Sequence, residues 1–276
     1  MCIRDSISYE KSINLDPNHA ETHYNRANTL NQLHRYDEAL RSYELAIEIK
    51  ADYAEAYWNK SLLLLSLQEF QKGWDLYEWR WKNQNLGLIA LPTQKPKWTG
   101  FEFNEKLKLL IWGEQGIGDQ VFFAGILDQL LSVAPQTQIM LDHRLLPLFK
   151  RSFPKGKFID RLTPLDEIEF DVHMPIGDLG KFFRAKITDF AISRRQYLFA
   201  DPIKAKELRA NLLGEKKYLC GLTWYSKRED LGIGKSIELE KLLSVLSIKD
   251  IAFVSLQYGD VKSQITSFND KNNVYI

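Results

Sequence analysis

Residues 109–123 carry the densest grouping of chemically capable residue types in the chain. The run Leu109-Leu110-Ile111-Trp112 is followed by Gly113-Glu114-Gln115-Gly116-Ile117-Gly118-Asp119 and then by Gln120-Val121-Phe122-Phe123. The short apolar run reads as a buried strand, the glycines as a turn, and the next segment as a helix whose first residue or cap is Asp119. Glycines let a backbone come close to a ligand, and a helix start offers free amide donors. The glycines fall at 113, 116 and 118, which is not G-x-G-x-x-G, and no Gly-Lys-Ser/Thr comes after them to make a phosphate loop. On spacing alone, Asp119 reads as a helix N-cap.

Other chemistries have less support. No D-x-D occurs, the five histidines form no H-E-x-x-H, and no cysteine pair has zinc spacing. His19 and His23 stand four apart inside a repeat and read as exposed helix residues. No G-x-S-x-G is present, so a serine hydrolase is unsupported. The carboxylates Asp166, Glu167, Glu169 and Asp171 cluster, but as a solvated loop edge. A metal is therefore not expected.

Composition excludes further classes. With 37 basic and 36 acidic residues the net charge is +1, which argues against nucleic acid or an anionic membrane as the main partner. Cys2 and Cys220 are too few for a disulfide framework, so a reducing, cytoplasmic compartment is expected. No apolar run reaches the roughly 18 residues that span a bilayer, so no transmembrane segment is expected. Residues 1–6 carry no start signal, and they read as foreign or truncated sequence.

The elements around the glycine loop fall into three parts. Tyr9, Tyr43 and Tyr77 recur every 34 residues, each with glutamate next to it. Ala20-Glu21 recurs as Ala54-Glu55, Asn25 as Asn59, and Tyr36 as Phe70. A 34-residue period with helical spacing is the tetratricopeptide signature. One helix hairpin cannot bury its own apolar stripe, so neighbours must stack. About two and a half repeats are visible, over 7–85, so the last is expected to dock onto the neighbouring C-terminal domain through Trp74, Tyr77, Trp79 and Trp81. Residues 86–103, with Pro92 and Pro96, read as an extended linker. Beyond it, apolar strands alternate with amphipathic stretches, the pattern of an α/β sheet. Strands are predicted at 107–112, 138–141, 171–174, 219–224 and 251–256, with helices at 120–133 and 203–213.

The segment Gly113 to Asp119 resembles the first strand-loop-helix of the heptosyltransferase-like glycosyltransferases, in the branch that carries N-terminal tetratricopeptide repeats. The resemblance is collinear over about 200 residues. It takes in Trp79-Arg80-Trp81, Pro96-Lys97-Trp98-Thr99-Gly100, Leu141-Asp142-His143-Arg144-Leu145, Asp171 to Leu179, Tyr197-Leu198-Phe199-Ala200-Asp201, Gly221-Leu222-Thr223-Trp224, Lys235-Ser236-Ile237 and Val254-Ser255-Leu256-Gln257. It implies two Rossmann-like lobes facing across a cleft, the GT-B arrangement. An acceptor-side lobe would cover 104–213, and an incomplete donor-side lobe would cover 214–276.

The resemblance also implies roles. Asp119 would be the general base of an inverting, metal-independent transfer of a hexosyl or heptosyl group to an acceptor hydroxyl. Gly113, Glu114, Gln115, Gly116 and Gly118 would form the acceptor loop. Trp224, Ser226, Lys227, Lys235, Ser236 and Gln257 would hold the donor, with the lysines facing the departing diphosphate. Where the family commonly has arginine before the serine, this chain has Lys235, a point charge instead of a bidentate fork. The co-substrate would be a nucleotide-diphosphate sugar with no further cofactor, and the acceptor a glycan or a protein. The repeats would recruit a protein partner. Further donor-binding residues of the family lie beyond Ile276, so this fragment is expected to be inactive alone. The alternative is a tetratricopeptide interaction scaffold whose α/β domain is not catalytic. A nicotinamide oxidoreductase is disfavoured by the glycine spacing.

Overall fold

The computed structural model describes residues 2–100, 104–192, 196–226 and 236–276. Five helices open the chain: α1 (Cys2–Leu15), α2 (Ala20–Gln32), α3 (Tyr36–Ile49), α4 (Ala54–Ser66) and α5 (Phe70–Tyr77). They pack as consecutive antiparallel neighbours because small residues meet large ones at each crossing. Ala27, Ala39, Ala46 and Ala56 are fully buried against Leu30, Tyr43 and Leu63. A polar tie crosses the same layer: Tyr43 donates to Asn28 Oδ1 at 2.6 Å, and Asn59 Nδ2 donates to that oxygen at 2.9 Å. Burial pushes the Tyr43 hydroxyl far above the ordinary phenol value. Left-handed residues just past α2 and α4, His34 and Gln68, turn these two hairpins.

The α/β part of the first compact unit is a four-stranded, wholly parallel sheet in the order β3-β2-β1-β4. Its strands are β1 (Leu109–Trp112), β2 (Gln138–Leu141), β3 (Lys157–Asp160) and β4 (Val172–Pro175). The strand β3 lies outside the predicted set: its residues Lys157-Phe158-Ile159-Asp160 hold only two apolar positions, too few to stand out from a loop. Register runs Leu110 to Gln138 on one side of β1 and Leu110 to His173 on the other. All four residues of β1 are buried, as expected for a central parallel strand covered on both faces.

Connecting helices are short: α6 (Ile117–Phe123), α7 (Leu127–Val133), α8 (Leu146–Ser152) and α9 (Leu179–Phe183). The predicted single helix 120–133 is split by a 3₁₀ turn at Ala124–Ile126 that contains Gly125. Residues 87–100 hold no helix, and part of them joins the sheet. Lys97 bridges His173 in parallel, and Trp98 N–H donates to the His173 carbonyl at 2.8 Å, closing the outer edge of β4.

The chain divides into two compact units at Phe199/Ala200. The division lies before α10 (Pro202–Leu213), so this helix groups with the second unit and not with the 104–213 segment in which it was expected. The physical reason is that α10 packs on β5 (Tyr218–Leu222) and β6 (Ile251–Ser255). Those strands pair in parallel from Tyr218–Ile251 to Leu222–Ser255. With α11 (Leu243–Leu246) and α12 (Lys262–Asn272) they enclose a small core of Trp224, Leu239, Leu246, Phe253 and Phe268. No helix among the described residues is long and apolar enough to cross a membrane.

Candidate functional site

In the first unit, β1 leads on one side to β2 and β3 and is flanked on the other by β4, so chain order reverses at β1. Open α/β sheets bind ligands outside the carboxyl ends of the strands at such a reversal. The Gly113–Gly118 loop leaves β1 at this point, and the turn Ile176–Asp178 leaves β4 beside it.

Loop geometry comes from packing. A side chain at Gly113 would sit 2.6 Å from the Gln120 amide, which is buried there to bridge the loop to β2. Gln120 Nε2 donates to the Gln115 carbonyl at 3.1 Å, and its Oε1 accepts from Asp142 N–H at 3.1 Å. Gly118 has open space around it, and a side chain at Gly116 would meet only the Asp119 carboxylate, at 3.5 Å. The part of these two glycines is to leave backbone uncovered and not to relieve a clash.

Asp119 is not the N-cap that spacing suggests. Gly116 holds that position, and Asp119 is the third residue of α6. Its Oδ2 accepts from Gly116 N–H at 3.1 Å, the reciprocal half of a capping box. Glycine has no side chain to supply the other half. Among the described residues no hydrogen bond reaches Oδ1, and the side chain is half-exposed. The carboxylate thus has one fixed oxygen and one available oxygen.

Glu114 sits differently from the expected acceptor loop. Its carboxylate is fully buried and accepts from Arg80 Nη2 at 3.1 Å, Gly177 N–H at 3.2 Å and Gln115 Nε2 at 3.2 Å. Burial pushes the Glu114 carboxyl up, against the pull of Arg80. Arg80 is itself fully buried, pairs with Asp178 and donates to the Tyr77 carbonyl at 3.1 Å. Lys97 completes the group, 2.8 Å from Asp178 Oδ2 and 2.7 Å from Glu78. Two cations from the repeat end and the linker thus neutralise Glu114 and Asp178, which lie just past β1 and β4. Gln115 points back to the repeats and donates to the Tyr77 hydroxyl at 3.0 Å. Burial raises that hydroxyl to about 12.

Sequence reasoning passed over Arg80, Asp178 and Lys97 as functional positions. The available signal was an arginine flanked by tryptophans, where a solvated charge is out of place. The aromatic dock is otherwise as expected for three of its four members. Trp74 and Tyr77 enter the sheet's core, Trp74 Nε1 donates to the Arg184 carbonyl at 2.8 Å, and Trp81 packs on Trp112. Trp79 instead stacks on Tyr57 inside the repeats, with ring centroids 3.8 Å apart.

Beside Asp119, between α4, α5 and α6, lies a largely apolar cavity of about 400 Å³. Its lining is apolar with few polar groups, the character of a ligand pocket.

In the second unit, Trp224, Ser226, Ser236 and Gln257 converge at the carboxyl ends of β5 and β6. Gln257 Oε1 accepts from Trp224 N–H at 2.9 Å and Tyr225 N–H at 3.1 Å, while its Nε2 donates to the Tyr225 carbonyl at 3.0 Å. Ser226 N–H donates to Ser236 Oγ at 3.1 Å. The Gln257 amide is therefore turned to the protein's own backbone, and the Trp224 ring is a core residue at 3% exposure. Both shape the strand-end loop instead of presenting a free side chain. Lys227 and Lys235 lie outside the described residues.

The model for the tetratricopeptide repeat matches residues 8–41. The chain is 29% identical over 224 residues to Protein FlbA of Caulobacter vibrioides, an overlap that takes in 74% of this chain and 37% of that protein. The chain thus spans little more than a third of that relative's length. Among solved structures, the MamA protein is 25% identical over 29% of this chain and 44% of its own, with a TM-score of 0.28. An O-GlcNAc transferase mutant of Thermobaculum terrenum is 14% identical over 98% of this chain and 62% of its own, with a TM-score of 0.31. The chain is similar to each of these. Its architecture is a helical, tetratricopeptide-like N-terminal part followed by a mixed α/β region built on parallel strands.

Proposed function

We propose that the chain is the repeat-bearing part of an inverting, metal-independent glycosyltransferase of GT-B type. It transfers a sugar from a nucleotide-diphosphate donor to an acceptor hydroxyl, with Asp119 as the general base. The observation that carries this reading is the half-committed carboxylate of Asp119. One oxygen is fixed by Gly116 N–H at 3.1 Å, and the group stands at the strand-order reversal beside an apolar cavity. A general base needs this combination: a fixed orientation, a free lone pair and an acceptor site within reach.

The buried ion cluster supports the division of labour. Arg80 occupies the crevice between the β1 and β4 loops, where a Rossmann-like sheet would otherwise admit a nucleotide. In this reading the first unit takes the acceptor. The donor belongs to the strand ends of the second, with Lys227 and Lys235 supplying positive charge for the diphosphate. The repeats hold a protein partner.

Asp119→Asn in a C-terminally extended version tests the base. Asparagine keeps an oxygen for Gly116 N–H, so folding and donor affinity should be preserved while transfer falls at least about a hundredfold. A loss of stability that matches the loss of transfer would reduce Asp119 to a capping residue.

A further inference from the structure

The cavity beside Asp119 has walls from two sources. Leu62 and Leu65 of α4 and Trp74 of α5 come from the repeats, while Phe122 and Phe123 come from α6. Its polar lining is partly committed. Trp74 Nε1 is satisfied by the Arg184 carbonyl, and the Arg184 guanidinium donates to Gln129 Oε1 and the Gly125 carbonyl. The Tyr77 hydroxyl accepts from Gln115. The Asp119 carboxylate is left as an acceptor, beside the Tyr197 phenol and the O–H of Tyr77. An occupant must therefore be apolar in depth and offer a hydrogen-bond donor at the mouth.

We infer that this cavity is a side-chain subsite for a polypeptide acceptor, selecting a serine or threonine that has a bulky aliphatic or aromatic neighbour. The inference deepens the transferase reading and rests on it. With the hydroxyl over Asp119, the adjoining side chain enters the space between Phe122 and the repeat helices. A glycan acceptor would press hydroxyls against Phe122, Phe123 and Leu62 without partners, and unmet polar groups oppose binding. Two of the cavity's walls are repeat helices, the kind of element whose stacked hairpins present extended surfaces to peptide segments. The lip charge adds a second selection, since an acidic neighbour would face Asp119 across a low-dielectric mouth.

The test uses this chain and short fluorescein-labelled peptides bearing one serine, with phenylalanine, alanine or glutamate beside it, read by fluorescence anisotropy. The phenylalanine peptide should bind at least about tenfold more tightly than the alanine peptide, as burial of one aromatic side chain predicts. The glutamate peptide should bind weakest. Phe122→Glu and Leu62→Glu should each remove that preference. Both positions are substantially exposed, at 67% and 42%, so the fold should persist, and unchanged thermal midpoints would show it. Equal affinities for the phenylalanine and alanine peptides would overturn the subsite. So would folded variants that keep the preference, or monomeric dodecyl maltoside outcompeting every peptide, which would assign the cavity to a lipid-like chain. In an extended version, transfer without the preference would remove the subsite and keep the transferase. The preference without transfer to the same peptides would overturn the acceptor assignment and leave a peptide pocket.

Discussion

Asp119 and His173 show how single residues are set by their neighbours. His173 Nδ1 accepts from Trp112 Nε1 at 3.1 Å, so the ring is neutral and carries its proton on Nε2. Burial lowers its pKa, helped by the nearby Lys97 and opposed by a hydrogen bond to the Lys95 backbone. Above the ordinary histidine value of about 6.5 both folded and unfolded forms are neutral, and His173 adds no pH dependence. Below it the unfolded chain takes up a proton that the folded chain refuses, so stability falls with pH until the lowered folded value is reached. Urea midpoints at pH 7.5 and 5.5 should therefore differ more in the wild type than in His173→Asn, which keeps an acceptor for Trp112 without a titrating ring. An identical acid loss in both would show that His173 is not the group responsible. For Asp119 the expected signature is the opposite kind: a change in transfer with little change in stability.

The repeat-to-sheet junction is the element that positions the loop. Arg80 arrives from a 3₁₀ turn after α5 and ties Glu114 and Asp178 together in the interior. Removing one partner of a buried ion cluster leaves charge uncompensated, so Arg80→Ala should cost about 3–5 kcal/mol by denaturant unfolding. A loss below about 1 kcal/mol would mean that the carboxylates find water or protonate at little cost. A second contact is steric: a methyl at Gly180 would lie 2.3 Å from the Trp74 ring. Gly180→Ala should loosen the dock and raise the exposure of Trp74, seen as a red shift in tryptophan fluorescence. The 34-residue period made the repeats legible, and the apolar runs made five of six strands legible, because both signals are periodic. The amphipathic edge strand β3 and the ion cluster were not. A four-residue strand with two apolar positions carries no periodic signal, and a buried salt bridge joins residues 34 and 98 positions apart. The glycines of the loop and Asp119 stand out in the sequence by residue type alone. The burial of Glu114 was not legible, because its partner Arg80 comes from another part of the chain.

At the scale of the whole molecule, the first unit joins the end of the repeats to the sheet in a shared core while the earlier repeat helices keep their own, and the second unit is a smaller body with a core of its own. The repeats alone, residues 1–85, should be marginal, since Trp74 and Tyr77 are buried by the sheet and too few hairpins stack without it. Circular dichroism melts of 1–85 and 1–199 should show a cooperative transition for the longer piece only. A cooperative melt of 1–85 would show that docking is not required. In the second unit, α10 has no buried residue and leaves Ile203, Leu208 and Leu212 exposed. At 100° per residue Ile203 lies on the opposite side of the helix from Leu212, so these apolar side chains are left to solvent on more than one face. Limited proteolysis should therefore cut 200–276 before 1–199 in this chain and lose that preference in an extended version.

The central claim, a sugar-nucleotide transferase, is tested most directly by calorimetric titration of UDP-, GDP- and ADP-linked sugars against this chain and a C-terminally extended version. Saturable binding of one donor by the extended protein, with little or none by this chain, is the predicted result. Silence from both, with the extended protein demonstrably folded, would contradict it and leave a tetratricopeptide scaffold with a non-catalytic α/β domain.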